Sequence, residues 1–396
     1  MRLSLSALAL CIAAPALAQD PVDQGPPNAG FEPAFEGQTR APALAETAVT
    51  VETFADGLEF PWGIAALPEG GYLVTEQPGT LVHVSEDGTV SEPISGVPEV
   101  DYRQQGGLLD VAVAEDFEES RRLWLSFSKL TEAGTHTAAV TATLSEDMSA
   151  LEDVTEIFLQ MPASPNPMHF GSRVQPEPGT GNVWITTGEH FSQAERLLAQ
   201  DLETTYGKVV RVDGETGAAP EDNPFMGDAA INAIWSYGHR NVQGAAAHPE
   251  TGALWTVEHG PRGGDEVNRP EPGANHGWPV ISYGINYNGS DVGSGEAVRE
   301  GMEQPVYYWD PVIAPGGAVF YEGDMFPDWQ GDLLIGGLVA EALVRLEVDA
   351  ETGRVTGEER VAEGIGRVRD VALAPDGAVM VIIDAEQGTI ERISAE

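Results

Sequence analysis

The chain has 396 residues, 42% of them apolar, with 46 glycines and 28 prolines. This is a globular, turn-rich composition that excludes wholesale disorder, a collagen repeat and a multi-span membrane protein. The formal charge is −43, from 63 acids against 20 bases, and a field of that sign repels phosphate backbones and anionic lipid, so no nucleic-acid partner is expected.

In chain order, residues 1–18 read MRLSLSALALCIAAPALA. Arg2 precedes an apolar run, and the segment ends Ala-Leu-Ala. That is the pattern of a secretory signal peptide, and the run is too short to span a bilayer. A periplasmic protein without membrane insertion is expected. Cys11 is the only cysteine and leaves with the signal, so the exported chain, of charge −44, has no disulfide. Residues 19–46 are rich in Pro, Gly, Ala and acids and lack any period, which predicts a disordered lead-in.

From there a phrase recurs: a small apolar strand, a turn such as Pro-acid-x-Gly, and a second strand ending near a polar residue. The copies span 63–76, 109–128, 172–189, 244–260, 317–337 and 369–385. Each reads as two short β-strands. Six such units predict an all-β fold, a six-bladed β-propeller forming one domain over 47–396. The strand-like 48–55 is placed to pair into the last blade and close the ring. Two β-sandwich domains are the alternative. The one helical candidate is 194–207.

A propeller leaves function to its loops. The densest loop runs from Trp235 to Gly289, with glycines that allow close backbone approach and hard oxygen donors suited to Ca²⁺, among them Asp265 and Glu266. A solvated acidic turn fits the same residues. No His, Cys or acid set has zinc-like spacing. His169 lies in a Pro/Gly-rich loop, a suitable place for a general base and equally for an ordinary surface histidine. Arg367 and Arg369 alternate along a strand, so their side chains share one side. They suit a fixed anionic ligand, or an ion pair with an acid such as Asp370.

Eight motifs then occur together: QQGGLLDV, HFGSRV, TTGE, GHRNVQG, EHGPRGGDEVN, NHGWP, GINYNG and GRVRDV. In this order they resemble the soluble, pyrroloquinoline-quinone-dependent aldose sugar dehydrogenases, the glucose/sorbosone dehydrogenase family. The resemblance covers about 48–393. It implies a six-bladed propeller that oxidises the anomeric carbon of aldose sugars to lactones and hands electrons to an external acceptor. It implies pyrroloquinoline quinone (PQQ) and Ca²⁺ as cofactors. It makes His169 the catalytic base, Glu189 the carboxylate that orients it, and Arg240 a catalytic and quinone-binding residue. Gln105, Asn241, Tyr287, Arg367 and Arg369 match further quinone contacts. The carbonyls of Gly260 and Pro261 match ligands of the quinone-bound Ca²⁺; Glu266 and the His276 carbonyl match a second Ca²⁺ site. Some family members carry a lysine against the cofactor where Val339 stands, and Arg345 lies close enough in sequence to substitute. Met168 stands where some relatives have an acid. A Ca²⁺-dependent propeller lactonase and a non-catalytic sugar-binding propeller are the competing readings, and either a monomer or a homodimer is compatible.

Overall fold

Each copy of the recurring phrase forms the two inner strands of a separate antiparallel sheet. The computed structural model describes residues 19–227 and 229–396; the signal-type segment 1–18 lies outside the described residues. The innermost strands are Pro61–Ala66, Leu108–Val113, Gly171–Pro176, Val242–Ala247, Pro315–Phe320 and Val368–Leu373. Their first partners are Tyr72–Glu76, Arg122–Thr131, Asn182–Thr187, Leu254–Glu258, Leu333–Gly337 and Val379–Ile383. The first sheet has three strands and the other five have four. Consecutive innermost strands touch, and the sixth touches the first, so the sheets are blades of a closed ring. The fold is a six-bladed β-propeller. Val49–Leu58 pairs antiparallel with Gly388–Ala395 and forms the outer strand of blade six, so strands from opposite ends of the chain close the ring. Among the described residues no helix is long and apolar enough to cross a membrane. The helical candidate contains only the 3₁₀ turn Arg196–Gln200.

The core consists of wedges between blades. Leu73 and Leu81 of blade one meet Leu125 and Phe127 of blade two. Trp255 and Val257 of blade four meet Leu333 and Val344 of blade five. Blade six meets blade one through Met380, Ile382, Val74 and Val82. Alternating apolar side chains on both faces of each blade fill these wedges, as stacked repeats require.

The ring centre is built differently. The third residues of the six innermost strands are Gly63, Asp110, Arg173, Gly244, Gly317 and Asp370. Arg173 Nη1 donates to Asp110 Oδ1 at 2.6 Å and to Asp370 Oδ2 at 2.8 Å. Asp110 also accepts from the Val174 N–H, and Asp370 from the Ile64 N–H. The guanidinium lies 4.7 Å from the Trp62 ring centre. The glycines make room: a Cβ at Gly63 would sit 3.1 Å from Asp110 Oδ1, and one at Gly317 would collide with the Asp370 carboxylate. A buried triad therefore ties blades two, three and six across the axis. Burial pushes the Asp110 carboxyl up to about 7, against the opposing pull of Arg173.

The expected disordered lead-in is corrected by the packing of its residues. They form a strap against blades four and five. Pro21 bridges Pro42, and the Ala43 N–H donates to the Asp20 carbonyl at 3.0 Å. Gln38 is fully buried, and Ala41 joins the core between blades four and five. The segment carries no period of its own, so composition alone misses the partners that the folded ring supplies to its backbone.

Candidate active site

The site residues lie where innermost strands begin and second strands end, which puts them on one face of the ring. His169, two residues before Gly171–Pro176, is 4% exposed. Its Nδ1 is 2.8 Å from Oε1 of Glu189, which follows the second strand of the same blade and is 1% exposed. The His169 N–H donates to Gln105 Oε1 at 2.8 Å, and the Gly171 N–H to Asn241 Oδ1 at 3.0 Å. Gln105 and Asn241 thus hold the loop that presents the histidine. Gln104, His169, His190 and Phe191 all have left-handed backbone, with φ of 54°, 49°, 58° and 71°. Four strained non-glycine residues on one rim are held there by the surrounding packing.

Burial lowers the His169 imidazole well below its ordinary pKa, and the neighbouring Arg240 adds to the effect. The ring is therefore neutral near pH 7. Burial pushes the Glu189 carboxyl up to about 7, against the pull of Arg240. Glu189 Oε2 finds no partner.

Arg240 is held on three sides. Its N–H donates to Glu258 at 2.6 Å, its Nη1 to the His259 carbonyl at 2.8 Å, and its Nη2 to the Tyr287 hydroxyl at 3.4 Å. Its guanidinium lies 5.3 Å from the Trp278 ring centre. Its buried Nε has no partner, nor does that of Arg369. Arg367 and Arg369 share one side, as alternation predicts, but their acid is Asp384, at 3.0 and 2.8 Å. Asp370 is engaged by Arg173 instead. Arg369 also donates to Gln243 at 3.0 Å.

Gly260, Pro261, Glu266 and His276, expected to serve two ions, line one small cavity with Glu258 and Trp278. Its free volume is about 10 Å³, the room of a single water-sized sphere. Asn268 Nδ2 donates to Glu258 at 2.9 Å and to Glu266 at 3.2 Å. Burial raises the Glu266 carboxyl well above its ordinary range, and the neighbouring Glu258 raises it further. A buried carboxylate, Glu258, and a half-buried one, Glu266, beside backbone oxygens are a donor set for a hard cation such as Ca²⁺. Among the described residues no three His, Cys, Asp or Glu side chains cluster in a metal-holding arrangement, so an ion here would need backbone carbonyls. Asp265 is committed elsewhere: it accepts from the N–H groups of Gly260, Ile313 and Ala314 at 2.7, 2.8 and 2.7 Å.

A family model, Glucose / Sorbosone dehydrogenase, matches residues 58–392. The chain belongs to the glucose/sorbosone dehydrogenase family. It is 43% identical over 356 residues to the aldose sugar dehydrogenase YliI of Escherichia coli strain K12, covering 88% of this chain and 94% of that one. It is 25% identical over 409 residues to quinoprotein glucose dehydrogenase B of Acinetobacter calcoaceticus, covering 84% and 83%. The apo-form crystal structure of the soluble E. coli aldose sugar dehydrogenase matches with TM-score 0.84 and 41% identity, over 88% of this chain and 100% of that one. The PQQ-bound aldose sugar dehydrogenase of Streptomyces coelicolor matches with TM-score 0.69 and 25% identity, over 88% and 100%.

Within this member of the glucose/sorbosone dehydrogenase family, Val339 is 57% exposed at the turn after Leu333–Gly337, on the site face. Arg345 does not stand in for a lysine there. Its guanidinium is buried against Asp332 and Glu359, at 2.6 and 2.9 Å. Two side chains escaped the sequence reading. Phe191 sets its ring edge-on to His169 with centroids 5.1 Å apart, and Glu258 anchors Arg240. Phe191 lies two residues past TTGE and Glu258 is the first residue of EHGPRGGDEVN, which was the available signal.

Proposed function

We propose that this protein oxidises the anomeric carbon of aldose sugars to lactones with PQQ and Ca²⁺, and passes the electrons to an external acceptor. The observation that carries the proposal is the buried His169–Glu189 hydrogen bond on the same face as Arg240 and Arg369. Each arginine has a buried Nε without a partner. The residues fit both groups. A quinone bearing three carboxylates suits guanidiniums gathered in an otherwise acidic chain. Gly260 and Pro261 would offer carbonyls to Ca²⁺ beside Glu258 and Glu266. When bound, the quinone supplies the two-electron sink for the hydride leaving the sugar carbon.

The remaining work belongs to the chain. An ionised Glu189 accepts from Nδ1–H of His169, which leaves the Nε2 lone pair free. Nε2 takes the proton of the anomeric hydroxyl as general base. Glu189 then stabilises the imidazolium. Arg240 presents positive charge where negative charge develops. Gln105 and Asn241 keep the His169 loop in register. Cleavage of segment 1–18 on export and a periplasmic location belong to the same proposal.

Reconstitution tests it. Purified protein freed of cofactor is given Ca²⁺ and PQQ, and dye reduction is followed with a panel of aldoses. Reduction that needs both additions and is abolished in His169→Ala is expected. A protein that binds no quinone would overturn the reading and bring lactone hydrolysis forward.

A further inference from the structure

The geometry points to the N-terminal strap, residues 20–47, as a brace that holds the two loops of the candidate cofactor site in their working arrangement. The strap lies outside the family match, which begins at residue 58. It is an addition to the ring that packs on blades four and five, and part of it reaches the site side of blade four.

Two anchors carry the inference. The first is Asp310, 4% exposed, whose carboxylate accepts from three consecutive strap N–H groups: Asn28 at 2.7 Å, Ala29 at 2.9 Å and Gly30 at 3.2 Å. Strap residue Arg40 donates to the Asp310 carbonyl at 2.8 Å. The carboxylate also packs on Gly263, where a Cβ would sit 2.5 Å from Oδ1. Arg262 reaches Asn28 Oδ1 at 3.1 Å. Gly263 and Arg262 belong to the loop that bears Gly260 and Pro261. The second anchor is Gln38. Its Oε1 accepts from the Tyr283 hydroxyl at 3.0 Å, and its Nε2 donates to the Pro305 carbonyl at 2.9 Å. Tyr283 stacks on Tyr308 at 3.9 Å, and strap residue Phe31 packs against both. Tyr283 opens the loop that bears Tyr287. Arg262 and Ile285 bridge the two loops. The strap therefore fixes both loops at their outer ends while their inner ends carry the proposed metal and quinone contacts. Asp310 and Gln38 are positioning residues, because they act through other residues.

Loosening supports of this kind weakens ligand affinity about 10–100-fold in comparable sites. The test uses the purified protein and its Asp310→Ala and Arg40→Gln variants. Hydrogen exchange of the cofactor-free protein is measured across 259–268 and 283–291, and PQQ affinity by quenching of tryptophan fluorescence with Ca²⁺ present. The brace predicts faster exchange in both segments, unchanged exchange in the innermost strands of blades one to three, and a PQQ Kd raised about tenfold or more for Asp310→Ala. Arg40→Gln removes the guanidinium bonds to the Gly25 and Asp310 carbonyls and leaves the Asp310 carboxylate satisfied, so it decides the matter if Asp310→Ala does not fold. Unchanged exchange in both segments would overturn the brace. The affinity arm rests on the proposed function, whereas the exchange arm does not: a protein that binds no PQQ in any form sinks the proposed function and leaves the brace to be judged by exchange.

Discussion

Replacing Glu189 with glutamine isolates the work of the carboxylate. In the wild type its Oε1 lies 2.8 Å from His169 Nδ1, and both side chains are buried. As the imidazole takes a proton, a full positive charge forms beside that carboxylate. With charge centres roughly 4 Å apart and an effective dielectric of about 20, their attraction is about 4 kcal/mol. Glutamine keeps the shape and removes that attraction only where the imidazolium forms. At about 1.4 kcal/mol per tenfold, kcat should fall on the order of 10³-fold. PQQ affinity should hold, because Glu189 is not among the proposed quinone contacts. The pH profile sharpens the test. Below about 7 Glu189 is protonated and donates to Nδ1, which moves the ring proton to Nε2 and removes the base. Wild-type kcat/KM should therefore rise with pH through about 7, and Glu189→Gln should lose that limb. The lowered His169 pKa means that no separate histidine limb is expected near 6.5. The assay is steady-state dye reduction at saturating PQQ and Ca²⁺, from pH 5 to pH 9. A loss smaller than about tenfold, or a retained limb, would refute the assigned role.

Three further outcomes are expected. Arg173→Met leaves Asp110 and Asp370 buried without their cation and should destabilise the protein by about 3–5 kcal/mol in urea unfolding; an unchanged midpoint would show that the axial triad does not hold the ring. Ca²⁺ should raise the thermal midpoint of the cofactor-free protein, with a gain of about 2.7 kcal/mol at a hundred times its Kd. Glu266→Gln should abolish that response, and a response to Mg²⁺ as large as that to Ca²⁺ would count against a calcium cavity. Val339→Lys adds a cation at an exposed tip on the site face and should tighten PQQ on the order of tenfold through a charge-assisted contact; an unaltered Kd would mean that the tip does not reach the quinone.

The blades were legible because each repeats the same two-strand phrase locally, within about twenty residues. The proposed base and its carboxylate come from resemblance alone, since twenty positions of sequence separate His169 from Glu189 and no spacing rule joins them. The axial triad was not legible. Asp110 and Asp370 lie 63 and 197 positions from Arg173, and only ring closure brings them together. A pattern was present all the same: all three sit at the third position of their innermost strands, which glycine fills in the other three blades. The order of the strap was not legible either. Its order comes from partners such as Asp310 and Tyr283, more than 240 residues away, and nothing local records them.

The pairing of Val49–Leu58 with Gly388–Ala395 also dictates a timetable. Among the described strands, the ring's outer closing strand is synthesised first and its partner last. Until those final residues emerge, the nascent chain can form only an open arc with an unpaired edge at each end, and such edges invite pairing with other chains. Closure must also meet the entropy of joining segments more than three hundred residues apart. A stop codon or a protease cut just before Gly388–Ala395 would thus strip the latch from a ring whose five preceding blades are intact.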